Sequence, residues 1–200
     1  MIPPDSLSIQ LPHRAATIIR RAEINNLEGV CDAVWKLAHV SAMAAHWSRA
    51  AFYPYVAEET VGGALQAKAL FVACRVATAR PSPIPHQDIS PTVEQVVGFA
   101  AFSAVMTDGT GESTLENMAV GASLQKQGIG GRLLSAGLLW CRAHAVRSVF
   151  LEVRETNQAA IALYDRASFS VIGRRPAYYS EPVEDALQMQ KLLDLVAPAG

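Results

Sequence analysis

The chain has 200 residues, of which 50% are hydrophobic and 18% are charged, and its formal net charge is −1. This composition is typical of one globular domain with a sizeable core and excludes a disordered chain. The near-zero charge and the scattered basic residues also disfavour binding to nucleic acid or to an anionic membrane.

The sequence carries no pattern for export or membrane insertion. Its first residues lack a basic segment followed by an apolar stretch, and no apolar run reaches the length of a membrane span. The three cysteines, Cys31, Cys74 and Cys141, are far apart and odd in number, which is typical of reduced thiols. We therefore expect a cytoplasmic protein.

The N-terminal half predicts an irregular start followed by helices and strands. Residues 1–16 contain three prolines and predict a lead-in without regular structure. A second proline-rich stretch at 79–94 contains four prolines and predicts an insertion that cannot continue a sheet. Apolar spacing and β-branched residues predict a strand at 17–22, helices at 24–40 and 44–57, and strands at 69–77, 95–106 and 116–120, with a turn at 107–113 before the last of them.

The C-terminal half alternates helices and strands. The pattern predicts a helix at 129–145, a strand at 146–155, a helix at 157–167 with an N-cap at Thr156 or Asn157, and strands at 169–175 and 185–193. The strand at 146–155 is apolar on both faces, which predicts a central position covered on both sides. The whole order, βααβββαβαββ, predicts an α/β (α+β) fold with a mixed sheet of six to seven strands and helices on both faces. We expect one domain over 17–195.

A glycine-bearing turn follows the strand at 116–120. Gly128 and Gly130 stand where a helix begins, so free backbone N–H groups and a helix N-terminus favour an anionic diphosphate. The turn lacks the Gly-Lys-Ser/Thr ending of a P-loop, and Leu133 breaks a dinucleotide-type G-x-G-x-x-G motif. A purely structural turn is the remaining alternative.

Three strings in this half resemble the GNAT superfamily of acyl-CoA N-acyltransferases, and most closely its RimI-type N-terminal acetyltransferases. They are Q-x-x-G-x-G from Gln125, LEVR-x-x-N-x-A-A-I-A-L-Y from Leu151 and R-R-x-x-Y-Y-x-x-P-x-E-D-A-L-x-M from Arg174. They occur in order and at the spacing of that family, and a looser likeness extends back to Thr17. The resemblance implies the GNAT fold and acetyl transfer from acetyl-CoA to the α-amine of a protein N-terminus, as on a ribosomal protein.

The resemblance also implies roles for particular residues. Glu152 would act as general base, and Tyr164 as general acid facing the leaving thiolate. Asn157 would hydrogen-bond acetyl-CoA, the carrier of the acetyl group. Tyr178 and Tyr179 would hold the N-terminus of the acceptor polypeptide. The carrier would lie along Met118, Ala119 and Val120, and its diphosphate would occupy the turn formed by Gln125, Lys126, Gln127, Gly128, Ile129, Gly130 and Gly131.

Simpler interpretations of these residues stay open. Glu152 could be a solvated glutamate or one paired with Arg154 or Arg174, Tyr164 an ordinary half-buried tyrosine, and the tyrosine pair simple hairpin packing. No metal is expected, because no cysteine or carboxylate joins His39 and His46 at the spacing of metal ligands. Acetylation of a lysine or a small-molecule amine, and a non-catalytic acyl-CoA-binding module, are the rival functions.

Three positions depart from the pattern of the family. Gln125 stands where arginine is usual, and Gly121 where an acidic residue is usual. Ser168 replaces the glycine that ends the second helix. If Ser168 adopts the left-handed backbone conformation, its side chain costs about 1 kcal/mol of stability relative to glycine. The departures concern carrier affinity and local stability and leave Glu152 and Tyr164 in place.

Overall fold

The computed structural model describes residues 16–23, 27–41, 44, 47–55, 59–61, 64–78, 92–107 and 110–194. The predicted lead-in, except for Ala16, therefore lies outside the described residues. So does the predicted insertion, except for residues 92–94, which belong to a strand. The predicted single domain stays a prediction.

Strands and helices alternate along the described chain. Their bounds are β1 Ala16–Arg21, α1 Leu27–His39, a 3-10 helix Arg49–Tyr55, β2 Glu59–Val61, β3 Ala64–Thr78, β4 Thr92–Thr107, β5 Thr110–Val120, a 3-10 turn Ala122–Leu124, α2 Ile129–Ala143, β6 Val146–Arg154, α3 Gln158–Arg166, β7 Ser170–Ser180 and β8 Val183–Leu192.

One mixed sheet organises these elements. Among the described residues it has eight strands, with the order β1-β3-β4-β5-β6-β8-β7 and with β2 paired to β3. Strands β5 and β6 are parallel, and the other neighbours are antiparallel. The predicted mixed sheet is thereby confirmed, with β2 as a short strand that the sequence pattern did not indicate.

Two hydrophobic cores cover the two faces of the sheet, as predicted. Helices α2 and α3 pack on one face around residues such as Phe102, Leu133 and Leu151. On the other face α1 and the 3-10 helix pack on β3 and β4. Gly137 permits the close approach of α2, because a Cβ there would lie 2.0 Å from the Phe102 ring. This contact fixes where the N-terminus of α2 meets the sheet.

Three local predictions are wrong. The segment predicted as a helix at 44–57 forms a 3-10 helix over Arg49–Tyr55, and Pro54, which has no N–H to donate, lies inside it. The turn predicted at 107–113 is shorter, because β5 already begins at Thr110 opposite Thr107. Strand β6 is central, but only one of its faces is buried, and Glu152 and Arg154 on the other face are half-buried.

The feature that matters most for function is the divergence of β5 from β6. Their parallel pairing ends at Leu115 and Leu151. Beyond that point β5 follows β4 while β6 follows β8. A bulge at Glu116 bends β5 at the same place, since Leu115 lies opposite Phe102 and Asn117 opposite Ala101. We call the resulting opening, between 116–120 and 152–154, the cleft.

Candidate active site

The β5 wall of the cleft contains the three residues predicted to line the carrier. Met118 is half-buried and packs toward α2, whereas Ala119 is buried among the residues of the opposite core. The Val120 carbonyl accepts a hydrogen bond from the Gln125 side chain at 3.2 Å. The side chain of Ala119 thus points away from α2, and Ala119 can offer the cleft only its backbone.

The predicted diphosphate turn lies at the N-terminus of α2. Gly128 is the N-cap residue with φ 78°, and no side chain caps the helix. A Cβ on Gly128 would meet nothing within 4 Å among the described residues, and one on Gly130 would only reach Leu163 at an ordinary 3.4 Å. Packing therefore does not demand glycine at 130. An uncapped helix N-terminus with open space above it fits an anionic diphosphate.

An open cavity of about 620 Å³ lies beside this turn, between α2 and α3. Gly128 and Gly131 form one side of it, and Leu163 forms part of the other. Two cations, Arg132 and Arg166, also line it, and the Arg132 guanidinium donates to the Thr17 carbonyl at 2.8 Å. Arginine pairs well with phosphate oxygens, so this cavity suits a phosphorylated group next to the turn.

Asn157 begins the helix that follows β6. Its side-chain oxygen accepts from the Ala160 backbone N–H at 3.2 Å, which confirms the predicted N-cap. The amide nitrogen of the same side chain is a further donor at the open end of the cleft. Its predicted contact with the carrier stays a prediction.

Glu152 lies at the apex of the cleft, one residue beyond the last parallel pair. Val149, Leu151 and Val153 face the α2 core, so Glu152 faces the opposite side, where its side chain is 24% exposed. Its carboxylate accepts from Arg175 Nη1 at 2.5 Å and lies 3.5 Å from Gln188 Nε2. The Glu152 carboxylate is also the main cause of a raised pKa at the neighbouring Tyr178.

The ion-pair partners that the sequence suggested for Glu152 are wrong. Arg154 pairs with Glu184 at 3.2 Å, and Arg174 pairs with Glu155 and Asp185. Arg175 is the partner instead. It also lies over the Tyr178 ring, with 4.6 Å between the guanidinium carbon and the ring centroid.

Tyr164 is a buried residue of α3, with 7% of its surface exposed. Its ring contacts that of Phe169, with 5.8 Å between centroids. Burial, and to a lesser extent the neighbouring Tyr179, raises the pKa of Tyr164 well above its ordinary value. The phenol is therefore neutral at physiological pH and holds a proton that it can donate.

The two tyrosines of β7 connect Glu152 with Tyr164. The rings of Tyr178 and Tyr179 contact each other edge to face, with 5.1 Å between centroids. Burial raises the pKa of Tyr179 to about 12, although the Arg154 guanidinium, 4.1 Å from the ring centroid, opposes the shift. The pair thus interacts with both predicted catalytic residues, because Glu152 raises the pKa of Tyr178 and Tyr179 contributes to raising that of Tyr164.

Sequence reasoning missed Arg175, Glu116 and Tyr55 as residues near the site. Glu116 accepts from Ser103 Oγ at 2.6 Å, and its charge contributes to raising the pKa of both Tyr55 and Tyr178. Burial is the larger cause of the shift at Tyr55. Glu116 and Tyr55 thus come close to the predicted site, although no motif connects them with it. The one available signal was that Glu116, an acidic residue, begins the strand predicted at 116–120.

Metal-binding and membrane-spanning features are not found in the part of the chain that the structure describes. No three His, Cys, Asp or Glu side chains come together there, and no described helix is long and apolar enough to cross a bilayer. The His39 ring packs on Trp35 with 4.5 Å between centroids, while His46 lies outside the described residues. The cytoplasmic location stays a prediction.

Comparison with known proteins identifies the domain that contains this cleft. Residues 88–169 match the model of the acetyltransferase (GNAT) family. The chain contains a GNAT acetyltransferase domain. The predicted resemblance is thereby confirmed, and the match includes the turn, Glu152 and Tyr164.

Curated relatives of this GNAT domain carry RimI-type names. The [ribosomal protein bS18]-alanine N-acetyltransferase of Escherichia coli strain K12 is 40% identical over 80 residues, which are 39% of this chain and 54% of that protein. The N-alpha-acetyltransferase RimI of Mycobacterium tuberculosis is 35% identical over 96 residues, 48% and 59% of the two chains. The chain thus matches less than two thirds of the length of these relatives.

Solved structures extend the likeness over nearly the whole chain. The ribosomal-protein-S18-alanine N-acetyltransferase from Escherichia coli superposes with a TM-score of 0.61 at 25% identity, covering 92% of this chain and 97% of that one. A GNAT acetyltransferase from Streptococcus pneumoniae gives a TM-score of 0.65 at 17% identity, covering 90% and 100%, and shows the shared fold alone.

Proposed function

We propose that this GNAT protein transfers an acetyl group from acetyl-CoA to the free α-amine of a polypeptide N-terminus, such as that of a ribosomal protein. The observation that carries the proposal is the position of Glu152, at the apex of the cleft and next to Tyr178, whose pKa its carboxylate raises. A carboxylate and a tyrosine pair at this point can receive a cationic amine. The names of the curated relatives, which act on ribosomal protein bS18 alanine, point to the same acceptor class.

The residues around the cleft fit acetyl-CoA as the donor. The uncapped N–H groups at the start of α2 would bind its diphosphate, and Arg132 and Arg166 line the adjacent cavity. The backbone edge of Met118, Ala119 and Val120 and the amide of Asn157 would hold the pantetheine arm. Acetyl-CoA supplies an activated thioester carbonyl. The chain's own groups must then orient it, accept one proton and donate another.

Deprotonating an α-amine is an easy task for a single carboxylate. The pKa of an α-amine is about 8, against about 10.4 for a lysine side chain, so about a tenth of it is already neutral at pH 7, far more than of a lysine. Glu152 takes the remaining proton directly or through one water molecule. The amine nitrogen then forms a bond to the carbonyl carbon. A backbone N–H at the diverging edge near Val120 would stabilise the oxygen during this step.

Breaking the carbon–sulfur bond requires a proton for the departing thiolate. Tyr164 is our candidate for this role, because it lies in the segment that matches the family and its phenol, like that of any tyrosine, is protonated at physiological pH. Its proton goes to the sulfur, and the proton first taken by Glu152 goes to solvent. The nitrogen, cationic after the attack, loses a second proton as the amide forms, and this proton replaces the one that Tyr164 donated. One amine and one thioester thus give one amide and one thiol, in a complex that holds both substrates together.

The test is release of free thiol from acetyl-CoA with a matched panel of acceptors. It contains peptides that begin with alanine, serine or methionine, each with a free and with an acetylated N-terminus. It also contains an N-terminally blocked peptide with an internal lysine, and spermidine. We expect release only with free N-termini, and identical release from blocked peptides or spermidine would favour the rival acceptors.

A non-catalytic acyl-CoA-binding module is separated by the same panel. Acetyl-CoA raises the thermal stability of either kind of protein, because it binds the native state. Only an enzyme releases thiol. Stabilisation without release for every acceptor would therefore refute the proposed transferase and leave the binding module.

A further inference from the structure

We propose that Arg175 occupies the place of the acceptor's ammonium group on Glu152, so that an acceptor must displace this arginine to react. In the absence of an acceptor, the same contact keeps Glu152 from activating water against the thioester. The inference rests on the proposed function and concerns which molecules reach the base.

The surroundings of the Arg175 guanidinium are those of a bound organic cation. Its Nη1 donates to the Glu152 carboxylate at 2.5 Å, and its carbon lies 4.6 Å from the centre of the Tyr178 ring. A carboxylate together with an aromatic face is a common site for ammonium groups. The same carboxylate raises the pKa of Tyr178, so the two groups are close to each other. The protein therefore fills a cation site with its own side chain.

The ion pair between Arg175 and Glu152 can be broken without disturbing the fold. Its side chain is 51% exposed, and it lies on β7, the edge strand of the sheet. Exposed ion pairs contribute little to stability, so releasing this one needs little compensation. Arg154 offers the contrast, because its side chain is 11% exposed and also donates to the Glu181 and Pro182 carbonyls.

The contact also has a consequence when no acceptor is present. A free carboxylate next to a bound thioester can remove a proton from water, whose oxygen then attacks the carbonyl. The carbon–sulfur bond breaks, the sulfur takes up a proton, and the products are acetic acid and free thiol. Arg175 donates to one oxygen of this carboxylate, which makes it a weaker base toward water and so suppresses this loss.

The first experiment measures acceptor binding without chemistry. Calorimetry gives the affinity of an alanine-initiated peptide for the protein saturated with CoA, in wild type, Arg175→Ala and Arg174→Ala. Arg174→Ala is the matched control. It removes the same charge from the neighbouring residue, whose side chain pairs with Glu155 and Asp185 and not with Glu152. We expect Arg175→Ala to bind about two- to fivefold tighter, the range for an exposed ion pair, and Arg174→Ala to match wild type.

A double-mutant cycle assigns the effect to Glu152. In a Glu152→Gln background, Arg175→Ala should no longer change peptide affinity, because the competition has been removed. Weaker binding by Arg175→Ala, or the same gain in both backgrounds, would overturn the inference. Thermal unfolding of each variant checks that the fold is intact.

The second experiment uses acetyl-CoA alone and needs no acceptor. Thiol release without acceptor should rise severalfold in Arg175→Ala and stay at the wild-type level in Arg174→Ala. No rise in Arg175→Ala overturns the proposed role even if peptides are acetylated normally. Conversely, a rise together with no transfer to any peptide would refute the proposed acceptor and leave the role of Arg175 standing.

Discussion

Leu115 on β5 and Leu151 on β6 are the last residues that pair directly between these parallel strands, and each is followed by a glutamate. Both leucines belong to the core under α2, so Glu116 and Glu152 turn toward the other face of the sheet. The two carboxylates contribute to raising the pKa of the same phenol, Tyr178. The point where the strands separate is therefore also the point where negative charge is concentrated.

Concentrated negative charge suits a substrate that arrives as a cation and reacts as a neutral amine. In the proposed reaction the ammonium form would be attracted to the apex, where Glu152 would remove its proton. The phosphate groups of the proposed donor would lie at the N-terminus of α2, which presents the positive end of the helix dipole. The thioester carbonyl would then have to reach between these two places, at the opening between β5 and β6.

Replacing Tyr164 by phenylalanine should remove the proton donor and keep the ring. We expect turnover to fall by about a hundredfold, within the usual contribution of a general acid, and the dissociation constant of acetyl-CoA to change little. Tyr53→Phe is the control, because that phenol only accepts from Arg49 on the surface. Steady-state thiol release and calorimetry check both quantities. Equal turnover in Tyr164→Phe and wild type would remove Tyr164 from the mechanism.

Gly130→Ala should separate a glycine required by a ligand from one required by the fold. A Cβ at 130 lies 3.4 Å from Leu163, an ordinary contact, so we expect the free energy of unfolding to stay within about 0.5 kcal/mol of wild type. Acetyl-CoA affinity should nevertheless fall by about tenfold or more, because the methyl group lies at the first turn of α2, whose backbone N–H groups would hold the proposed diphosphate. In contrast, Gly137→Ala would collide with Phe102 and should destabilise the fold. Unchanged acetyl-CoA affinity in Gly130→Ala would argue for a purely structural turn.

The sequence could predict those parts of the site that lie within one continuous string. The glycine turn, Glu152, the cap at Asn157 and the buried Tyr164 are all local, and their elements have nearly the predicted bounds. The roles of these residues and of the rest of the turn stay predictions.

Pairings across the sheet could not be read in the same way. Arg174 was one of two expected partners of Glu152, yet its neighbour Arg175 makes the contact. Consecutive strand residues point to opposite faces, so an error of one residue reverses the assignment. Strand β7 has register irregularities at 171–173 and 175–179, which no composition pattern announces. Glu116 was missed for a similar reason, since it lies in a bulge.

Ser168→Gly should stabilise the protein. Helix α3 ends in a Schellman motif, in which Phe169 N–H donates to Tyr164 and Ser168 N–H donates to Asp165. Ser168 has φ 64°, the left-handed conformation that was anticipated for a position usually held by glycine. Glycine should therefore add about 1 kcal/mol to the free energy of unfolding. Denaturant titration measures it, with Ala167→Gly, at φ −86°, as a control that should not stabilise. A less stable Ser168→Gly would contradict this account.

Glu184 should make the stability of the protein sensitive to acid. Its pKa lies below its ordinary 4.5, first because the Thr156 backbone N–H donates to it and then because of the Thr156 side chain and Arg154. A depressed folded-state pKa adds stability that is complete above the unfolded value and is lost as the pH falls through the folded value. The free energy of unfolding should thus decline below about pH 4.5, and Glu184→Gln should flatten that decline while lowering stability near neutral pH. Glu181→Gln on the neighbouring exposed turn is the control. An unchanged acid slope in Glu184→Gln would show that the carboxylate does not couple folding to protonation.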